Sequence, residues 1–187
     1  MVRTRLMRAL AALALAASTV VAFQSPASAA AGESGPWYMW GTPAYRCIDN
    51  PHGQTANNIT MDIYNCLRDA QNEQWKFEET DNHYVIIRNV TSQKCLTVKN
   101  ASTENNYPIL QFDCNLGYNQ QWLPEPTYPD GVSDFYQLRN RHSGRCLTVK
   151  NASTANGATL LQYTCDPWQS NNQWTWGAPS SPLVPYV

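Results

Sequence analysis

The sequence predicts an all-β fold made of three similar units that share one core. Segments 88–103 and 139–154 are identical at twelve of sixteen positions without a gap, and a more diverged copy precedes them. The copies recur about every 48 residues, which is the signature of a repeat architecture. Six cysteines follow the same period, each pair nineteen residues apart. Beyond the N-terminal segment, apolar residues form short runs without a helical period, as expected for strands.

Residues 1–29 are predicted to be a signal peptide. Arg3, Arg5 and Arg8 make a basic start, and the apolar stretch 10–23 is too short to span a bilayer. The small-x-small sequence 27–29 follows, so we expect cleavage near Ala29 and secretion of the mature chain. A retained membrane anchor is the alternative. The Arg- and Ala-rich signal indicates a bacterial protein.

The charge balance of the mature chain disfavours nucleic acids and membranes as partners. It has 187 − 29 = 158 residues, with 13 − 3 = 10 basic against 14 acidic side chains, a net charge near −4. Binding to phosphate backbones or anionic lipids needs clustered Lys and Arg. Abundant Asn, Gln, Thr and Tyr indicate a surface that interacts by neutral hydrogen bonds and stacking. No CxxC or HxxxH spacing indicates a metal site, and we expect no cofactor.

The cysteines are predicted to form one disulfide within each repeat. Six cysteines allow fifteen pairings, but equivalent residues in equivalent units should pair alike. Each disulfide closes a loop of about nineteen residues, worth about 3 kcal/mol in the chain-entropy view. The predicted pairs are Cys47–Cys66, Cys95–Cys114 and Cys146–Cys165.

The three repeats are predicted to pack around a pseudo-threefold axis. We place them at about 37–78, 79–125 and 126–177, between a flexible lead-in (30–36) and a loose C-terminal tail (178–187). Each unit has four short strands; in the second these are 85–87, 95–99, 108–114 and a strand that contains Trp122. One unit cannot bury its own apolar face, whereas three can share a core and leave few edges. The residues expected at the centre are Ile48, Leu96, Leu147, Trp75, Trp122 and Trp174.

Each repeat ends in the tetrapeptide NxQW, at 72–75, 119–122 and 171–174. With the Cys-Leu-x-Val-like strand and the second cysteine, this pattern over about 40–176 resembles the ricin B-chain type β-trefoil lectins. That group includes bacterial carbohydrate-binding modules appended to xylanases and other glycosidases. The resemblance implies a β-trefoil that binds glycans or polysaccharide without catalysis. Its internal symmetry makes a monomer the expected state.

The resemblance also implies one shallow sugar pocket in each repeat. The family uses an Asp two residues after the first cysteine, a Gln, an aromatic two residues before the second cysteine, and an Asn that begins the NxQW sequence. The candidates at these positions include Gln120, which directly follows Asn119. They are Asp49, Asp62, Tyr64 and Asn72 in the first repeat, Thr97, Phe112, Asn119 and Gln120 in the second, and Thr148, Tyr163 and Asn171 in the third. Trp168, which has no counterpart in the other repeats, is a further candidate platform.

The second and third pockets depart from the family pattern. Thr97 and Thr148 replace the Asp, and a Thr accepts fewer hydrogen bonds than a carboxylate, without charge assistance. We expect these two pockets to be weak, tuned to another sugar or silent. Gln111 and Gln162 lie one place after the expected Gln, and strand alternation predicts that they face away from the aromatic residue. In the first repeat, Asp62 occupies the position of the Gln that precedes the aromatic residue, and Glu73 occupies the position of the Gln that follows the Asn.

Two other functions remain open at this point. Asp49 and Asp62 are a conceivable carboxylate pair for glycoside hydrolysis, but no general acid with an apolar pocket and no nucleophile with a base accompany them. A protein-binding or inhibitory β-trefoil with degenerate sugar sites is the stronger alternative, since one fold serves many functions. Its contact loop would be 123–134 or 166–170. Structural roles for Asp49 and the three Asn residues, as strand ends or turn caps, are also open.

Overall fold

The computed structural model describes residues 33–128 and 134–187, so the predicted signal peptide and its cleavage site lie outside the described residues. The described chain is all-β, with six single-turn 3-10 helices between strands. Its strands are β1 (Glu33–Gly41), β2 (Arg46–Asp49), β3 (Ile59–Thr60), β4 (Asp62–Tyr64), β5 (Gln74–Glu79), β6 (Val85–Asn89), β7 (Cys95–Val98), β8 (Tyr107–Phe112), β9 (Gln121–Pro126), β10 (Tyr136–Asn140), β11 (Cys146–Val149), β12 (Ala158–Tyr163) and β13 (Trp174–Gly177). Within these ranges no helix has the length and hydrophobicity that a membrane span needs.

Six strands close a barrel, and three hairpins cover one end of it. The barrel runs β1, β5, β6, β9, β10 and β13, with antiparallel pairing between neighbours and from β13 back to β1. The hairpins are β2 with β4, β7 with β8, and β11 with β12. They contact one another through β12–β4, β12–β8 and β3–β8 pairing. This arrangement is a β-trefoil, as predicted.

The core forms where the three repeats meet. The six residues expected at the centre are fully buried in one apolar cluster. Each of the three tryptophans donates its indole N–H to a carbonyl in its own repeat: Trp75 to Ile48, Trp122 to Leu96 and Trp174 to Leu147, all at 3.0 Å. The same bond is made three times, so each tryptophan ties its barrel strand to its hairpin. The predicted core is confirmed.

The repeats are joined by buried glutamines on the hairpins. Gln111 is 0% exposed, and its side-chain amide donates to the backbone carbonyls of Gln54 (2.7 Å) and Ala56 (2.9 Å) in the preceding repeat. Gln162 makes the equivalent bonds to Ser102 (2.8 Å) and Glu104 (2.7 Å). Both side chains therefore face the repeat boundary, away from the neighbouring aromatic residue, as strand alternation predicted.

All three intra-repeat disulfides are present. Their Cα–Cα distances are 5.1 Å for Cys47–Cys66, 5.2 Å for Cys95–Cys114 and 5.0 Å for Cys146–Cys165. Each joins the start of a hairpin to the end of its second arm. The prediction from the repeat is confirmed.

Both ends of the domain are more ordered than the sequence predicted. Residues 33–36, predicted as flexible lead-in, belong to β1, where Ser34 pairs with Phe77. In the predicted loose tail, Val184 is 5% exposed, and the Tyr186 ring centroid lies 5.3 Å from that of Tyr38. The tail covers a second apolar cluster that includes the first disulfide. Apolar side chains among the prolines and serines of the tail supply this contact.

Candidate functional site

Each repeat forms one open cavity between its hairpin and the 3-10 turn that precedes the terminal tryptophan. The cavity volumes are ≈ 430 Å³ in the first repeat, ≈ 220 Å³ in the second and ≈ 370 Å³ in the third. The walls are built from equivalent positions. These are Asp49, Tyr64 and Asn72 in the first repeat, Thr97, Phe112 and Asn119 in the second, and Thr148, Tyr163 and Asn171 in the third.

The first pocket contains the predicted carboxylates. Asp49 on β2 lies directly opposite Asp62 on β4, so the hairpin presents both carboxyl groups on one face. Tyr64 follows Asp62 by two residues on that face, and its side chain is 40% exposed. Asn72 donates from Nδ2 to Asp49 Oδ1 at 2.6 Å and to the Asn50 carbonyl at 3.3 Å. The pocket thus combines hydrogen-bond acceptors with an accessible aromatic ring.

Burial weakens the acidity of three carboxyl groups in this pocket. It raises the pKa of Asp49 to about 6, against the opposing effects of the Asn72 hydrogen bond and the nearby His52. Burial, and then the Asp49 charge, raise the pKa of Asp62 to about 7. The pKa of Glu73 also rises to about 7 through burial, offset by the Leu67 N–H and reinforced by Asp49. At neutral pH Asp62 and Glu73 are therefore partly protonated, whereas Asp49 is mostly ionised.

Several residues of this pocket were not among the predicted site residues. Glu73 and His52 line it from the first repeat, and Asn156 and Gly157 line it from a turn in the third. Glu73 was recognisable as the equivalent of Gln120, which was a predicted site residue. The turn was not recognisable, because the repeat pattern aligns units without showing which loop crosses into a neighbour. Gly157 has φ +77°, a left-handed conformation that suits glycine.

In the second repeat, the protein itself uses most of the predicted polar groups. The Thr97 hydroxyl donates to the Cys95 carbonyl at 2.7 Å and accepts from Gln120 Nε2 at 3.1 Å. Gln120 is 1% exposed and also donates to the Asp113 carbonyl at 2.9 Å. Asn119 Nδ2 donates to the Val98 carbonyl at 3.1 Å. Phe112 has intermediate exposure, and the exposed Asn58, Asn100 and Asn115 also line this cavity.

The third pocket keeps an exposed aromatic ring but has similar internal bonds. Tyr163 is 44% exposed. The Thr148 hydroxyl donates to the Cys146 carbonyl at 2.9 Å, and Asn171 Nδ2 donates to the Val149 carbonyl at 3.1 Å. Asn172 is buried and accepts from Gln137 at 3.0 Å. This pocket therefore offers a tyrosine ring, and its lining also includes Asp166 and Gln169.

Trp168 does not join any of the three pockets. Its side chain is 74% exposed, and its ring packs edge-on against Tyr128 with a centroid distance of 5.4 Å. The lining of the third cavity includes its neighbours Asp166 and Gln169 but not Trp168. The structure thus places this candidate platform beside the third pocket rather than within it.

Comparisons with known proteins agree with this geometry. The family model for the ricin-type beta-trefoil lectin domain-like family matches residues 41–112, 71–133 and 118–182. A comparison with curated protein sequences found no match. ThreeFoil, a designed 3-fold symmetric protein, superimposes with a TM-score of 0.70 at 29% identity, covering 76% of this chain and 98% of ThreeFoil.

Two natural proteins share the fold within longer chains. The exo-beta-1,3-galactanase 1,3Gal43A from Clostridium thermocellum has a TM-score of 0.70 at 24% identity, covering 76% of this chain and 30% of the galactanase. The agglutinin from Abrus precatorius has a TM-score of 0.62 at 20% identity, covering 85% of this chain and 54% of the agglutinin. The three overlapping family matches run from residue 41 to residue 182, and the chain accordingly belongs to the ricin-type β-trefoil lectin-like family.

Proposed function

We propose that the protein is a secreted, non-catalytic carbohydrate-binding protein that recognises glycans or polysaccharide through its repeat pockets. The observation that carries this proposal is the first pocket, where Asn72 holds Asp49 at 2.6 Å beside the half-exposed Tyr64 ring. Sugars present hydroxyl groups and an apolar C–H face. An oriented carboxyl, an amide and an aromatic ring are complementary to both features.

The first pocket is the main site in this proposal. Thr97 and Thr148 use their one donor on backbone carbonyls, and a neutral hydroxyl accepts without the charge assistance of a carboxylate. The third pocket, with its exposed Tyr163, serves as a weaker site, and the second contributes least. On a repeating ligand, weak sites on one molecule act together and raise the overall avidity.

A binding role suits the carboxyl groups better than hydrolysis does. Glycosidases place two carboxyl groups on either side of the bond that they cleave. Asp49 and Asp62 are cross-strand neighbours on one hairpin, so both lie on the same wall of the pocket. Secretion is supported by the three disulfides, which persist in oxidising compartments.

A binding screen of residues 30–187 against glycans and insoluble polysaccharides tests the proposal. Asp49→Ala should weaken binding about tenfold or more, because a charge-assisted contact contributes about 1.5–3 kcal/mol. Thr148→Ala, the equivalent change in the third repeat, is the matched control and should have a smaller effect. Equal losses in the two variants would remove the first pocket from its leading role. No binding to any carbohydrate would favour a protein-binding β-trefoil, and capture of secreted protein partners would follow.

A further inference from the structure

We propose that the first pocket is selective for sugars that carry a free amino group, such as the 2-amino-2-deoxyhexose units of a deacetylated polysaccharide. This inference rests on the carbohydrate-binding function proposed above and names the ligand class of its main site. Three features of the first pocket support it: carboxyl groups that the pockets of the other two repeats lack at the same positions, the unpaired Asp62 carboxyl oxygen, and the exposed Tyr64 ring.

Three equivalent positions in the pockets are acidic in the first repeat and neutral in the other two. In the first repeat all three carry carboxyl groups, Asp49, Asp62 and Glu73. The equivalent residues are neutral in both other repeats: Thr97, Leu110 and Gln120, and Thr148, Leu161 and Asn172. All three hairpins pair the first two of these positions across their strands, so the side chains compared there occupy equivalent places. A neutral sugar needs acceptors, which amides also supply, whereas three carboxyl groups suit a positively charged ligand.

Among residues 33–128 and 134–187, the basic side chain that lines this pocket is His52, so three carboxyl groups face one imidazole. Within residues 33–128 and 134–187, the ion pairs of Arg and Lys involve Glu78, Asp81, Asp113 and Glu125, none of which lines this pocket. Asp62 Oδ1 is buried and has no hydrogen-bond partner. An unpaired buried acceptor is costly, and a positive charge held nearby offsets part of that cost. An ammonium group offers three donors together with a positive charge.

The remaining walls favour a sugar ammonium over a metal ion. The described part of the chain contains no group of three His, Cys, Asp or Glu side chains placed to hold a metal ion. Tyr64 instead adds a ring that is 40% exposed on the face shared with Asp62. An aromatic face attracts a cation and also packs against sugar C–H groups. A cavity of ≈ 430 Å³ is within the usual size range for small-ligand sites.

Protonation supports the same ligand class. The titratable groups that face Asp62 are Asp49 on the paired strand, Glu73 on the 3-10 turn, His52 after β2 and Tyr64 on its own strand. The raised pKa values, about 6 for Asp49 and about 7 for Asp62 and Glu73, reflect burial, and for Asp62 and Glu73 also repulsion by Asp49. A bound ammonium lowers them and releases protons. Affinity should therefore rise as the pH increases from about 5 to about 6.5, and it should fall at higher pH as the ligand amine loses its own proton.

The test compares fully deacetylated and N-acetylated forms of the same glucosamine oligosaccharide by titration calorimetry at about pH 6.5, where the amino groups are protonated in large part. We expect residues 30–187 to bind the deacetylated form about tenfold more tightly, by a charge-assisted contact. Asp62→Leu, which installs the residue of both other repeats, should abolish the preference. Asp62→Asn, which keeps the size of the side chain, should abolish it too. Glu104→Gln removes an exposed charge outside the pocket and should leave the preference unchanged.

The outcomes separate this inference from the function on which it rests. Equal affinity for the two forms, or a preference that survives Asp62→Asn, overturns selectivity for the amino group. If the N-acetylated form binds and Asp49→Ala abolishes that binding, the carbohydrate-binding function stands without this selectivity. If neither form binds and the wider screen is also negative, both proposals fail.

Discussion

At the residue scale, the three buried tryptophans do equivalent work in three different places. Each fills the centre of the core and satisfies a backbone carbonyl that no water can reach. Trp168 provides the contrast, because it is exposed and contacts Tyr128 alone among the aromatic rings. A tryptophan in this protein therefore contributes to stability according to its position in the repeat, and not because it is a tryptophan.

Trp122→Phe should lower the free energy of unfolding by about 2–4 kcal/mol. The change leaves the Leu96 carbonyl without its donor and opens a cavity in a packed core. Denaturant titration followed by circular dichroism measures the loss. Trp168→Phe is the matched control and should change stability by less than about 0.5 kcal/mol. Similar losses in both variants would contradict the assigned core.

The acidic pocket makes stability depend on pH. Asp49, Asp62 and Glu73 have pKa values of about 6, 7 and 7 in the folded protein, above their ordinary values of 3.8, 3.8 and 4.5. Between those limits the folded chain binds more protons than the unfolded chain, so stability falls as the pH rises. The decrease should run from about pH 4 to about pH 7 and then level off. Denaturant midpoints across this range measure it.

Asp62→Leu should reduce that dependence and raise stability at pH 8 by about 1 kcal/mol, since solvent screens part of the charge effect. Asp113→Asn is a useful comparison, because the Lys94 hydrogen bond lowers the pKa of that exposed carboxyl. A variant with an unchanged pH profile would mean that the unfolded-state pKa of Asp62 is already raised.

At the scale of the element, the repeat pattern predicted the hairpins and barrel strands well. Predicted strands 95–99 and 108–114 correspond to β7 (Cys95–Val98) and β8 (Tyr107–Phe112), because both the pattern and the cysteines fix their register. What the repeat could not predict were contacts that occur once. The start of β1 and the docked tail have no equivalents in other repeats, and neither has a periodic signal.

Deletion of residues 178–187 should destabilise the domain by about 2 kcal/mol. The deletion removes the burial of Val184 and the packing of Tyr186 on Tyr38. Each of these contacts contributes only part of the stabilising free energy of a fully buried apolar side chain. It also uncovers the Cys47–Cys66 disulfide, whose cluster the tail covers. Thermal unfolding measures the first effect, and the rate of reduction of that disulfide relative to Cys146–Cys165 measures the second. An unchanged melting temperature would show that the tail only rests on the surface.

The candidate site was predictable to the extent that it lies within one repeat. Asp49, Asn72 and Tyr64 meet as the resemblance implied, because all three belong to the first unit. Gln120 was predicted to bind sugar, yet its buried amide bonds Thr97 and Asp113. Position within a motif identifies a residue but not whether its neighbours have already used its hydrogen bonds.

At the scale of the whole molecule, the closed barrel couples the repeats into one folding unit. Each repeat contributes strands that pair with the next repeat, and β1 pairs with β13 to complete the ring. Unfolding should therefore occur in a single transition, with tryptophan fluorescence and far-ultraviolet circular dichroism giving the same midpoint. The isolated first repeat, residues 33–79, should remain unfolded. Separate transitions in the intact domain would indicate independent repeats.

Because the Asn156–Gly157 turn of the third repeat lines the first pocket, that pocket cannot be complete until late in synthesis of the chain. The carboxyl groups of that pocket are synthesised early, but the turn that borders them emerges about a hundred residues later. At a synthesis rate of about 5–20 residues per second, that interval is several seconds. Every chain that stops before this turn lacks a complete first site. Ligand binding at a complete first pocket therefore requires that the third repeat has packed against the first.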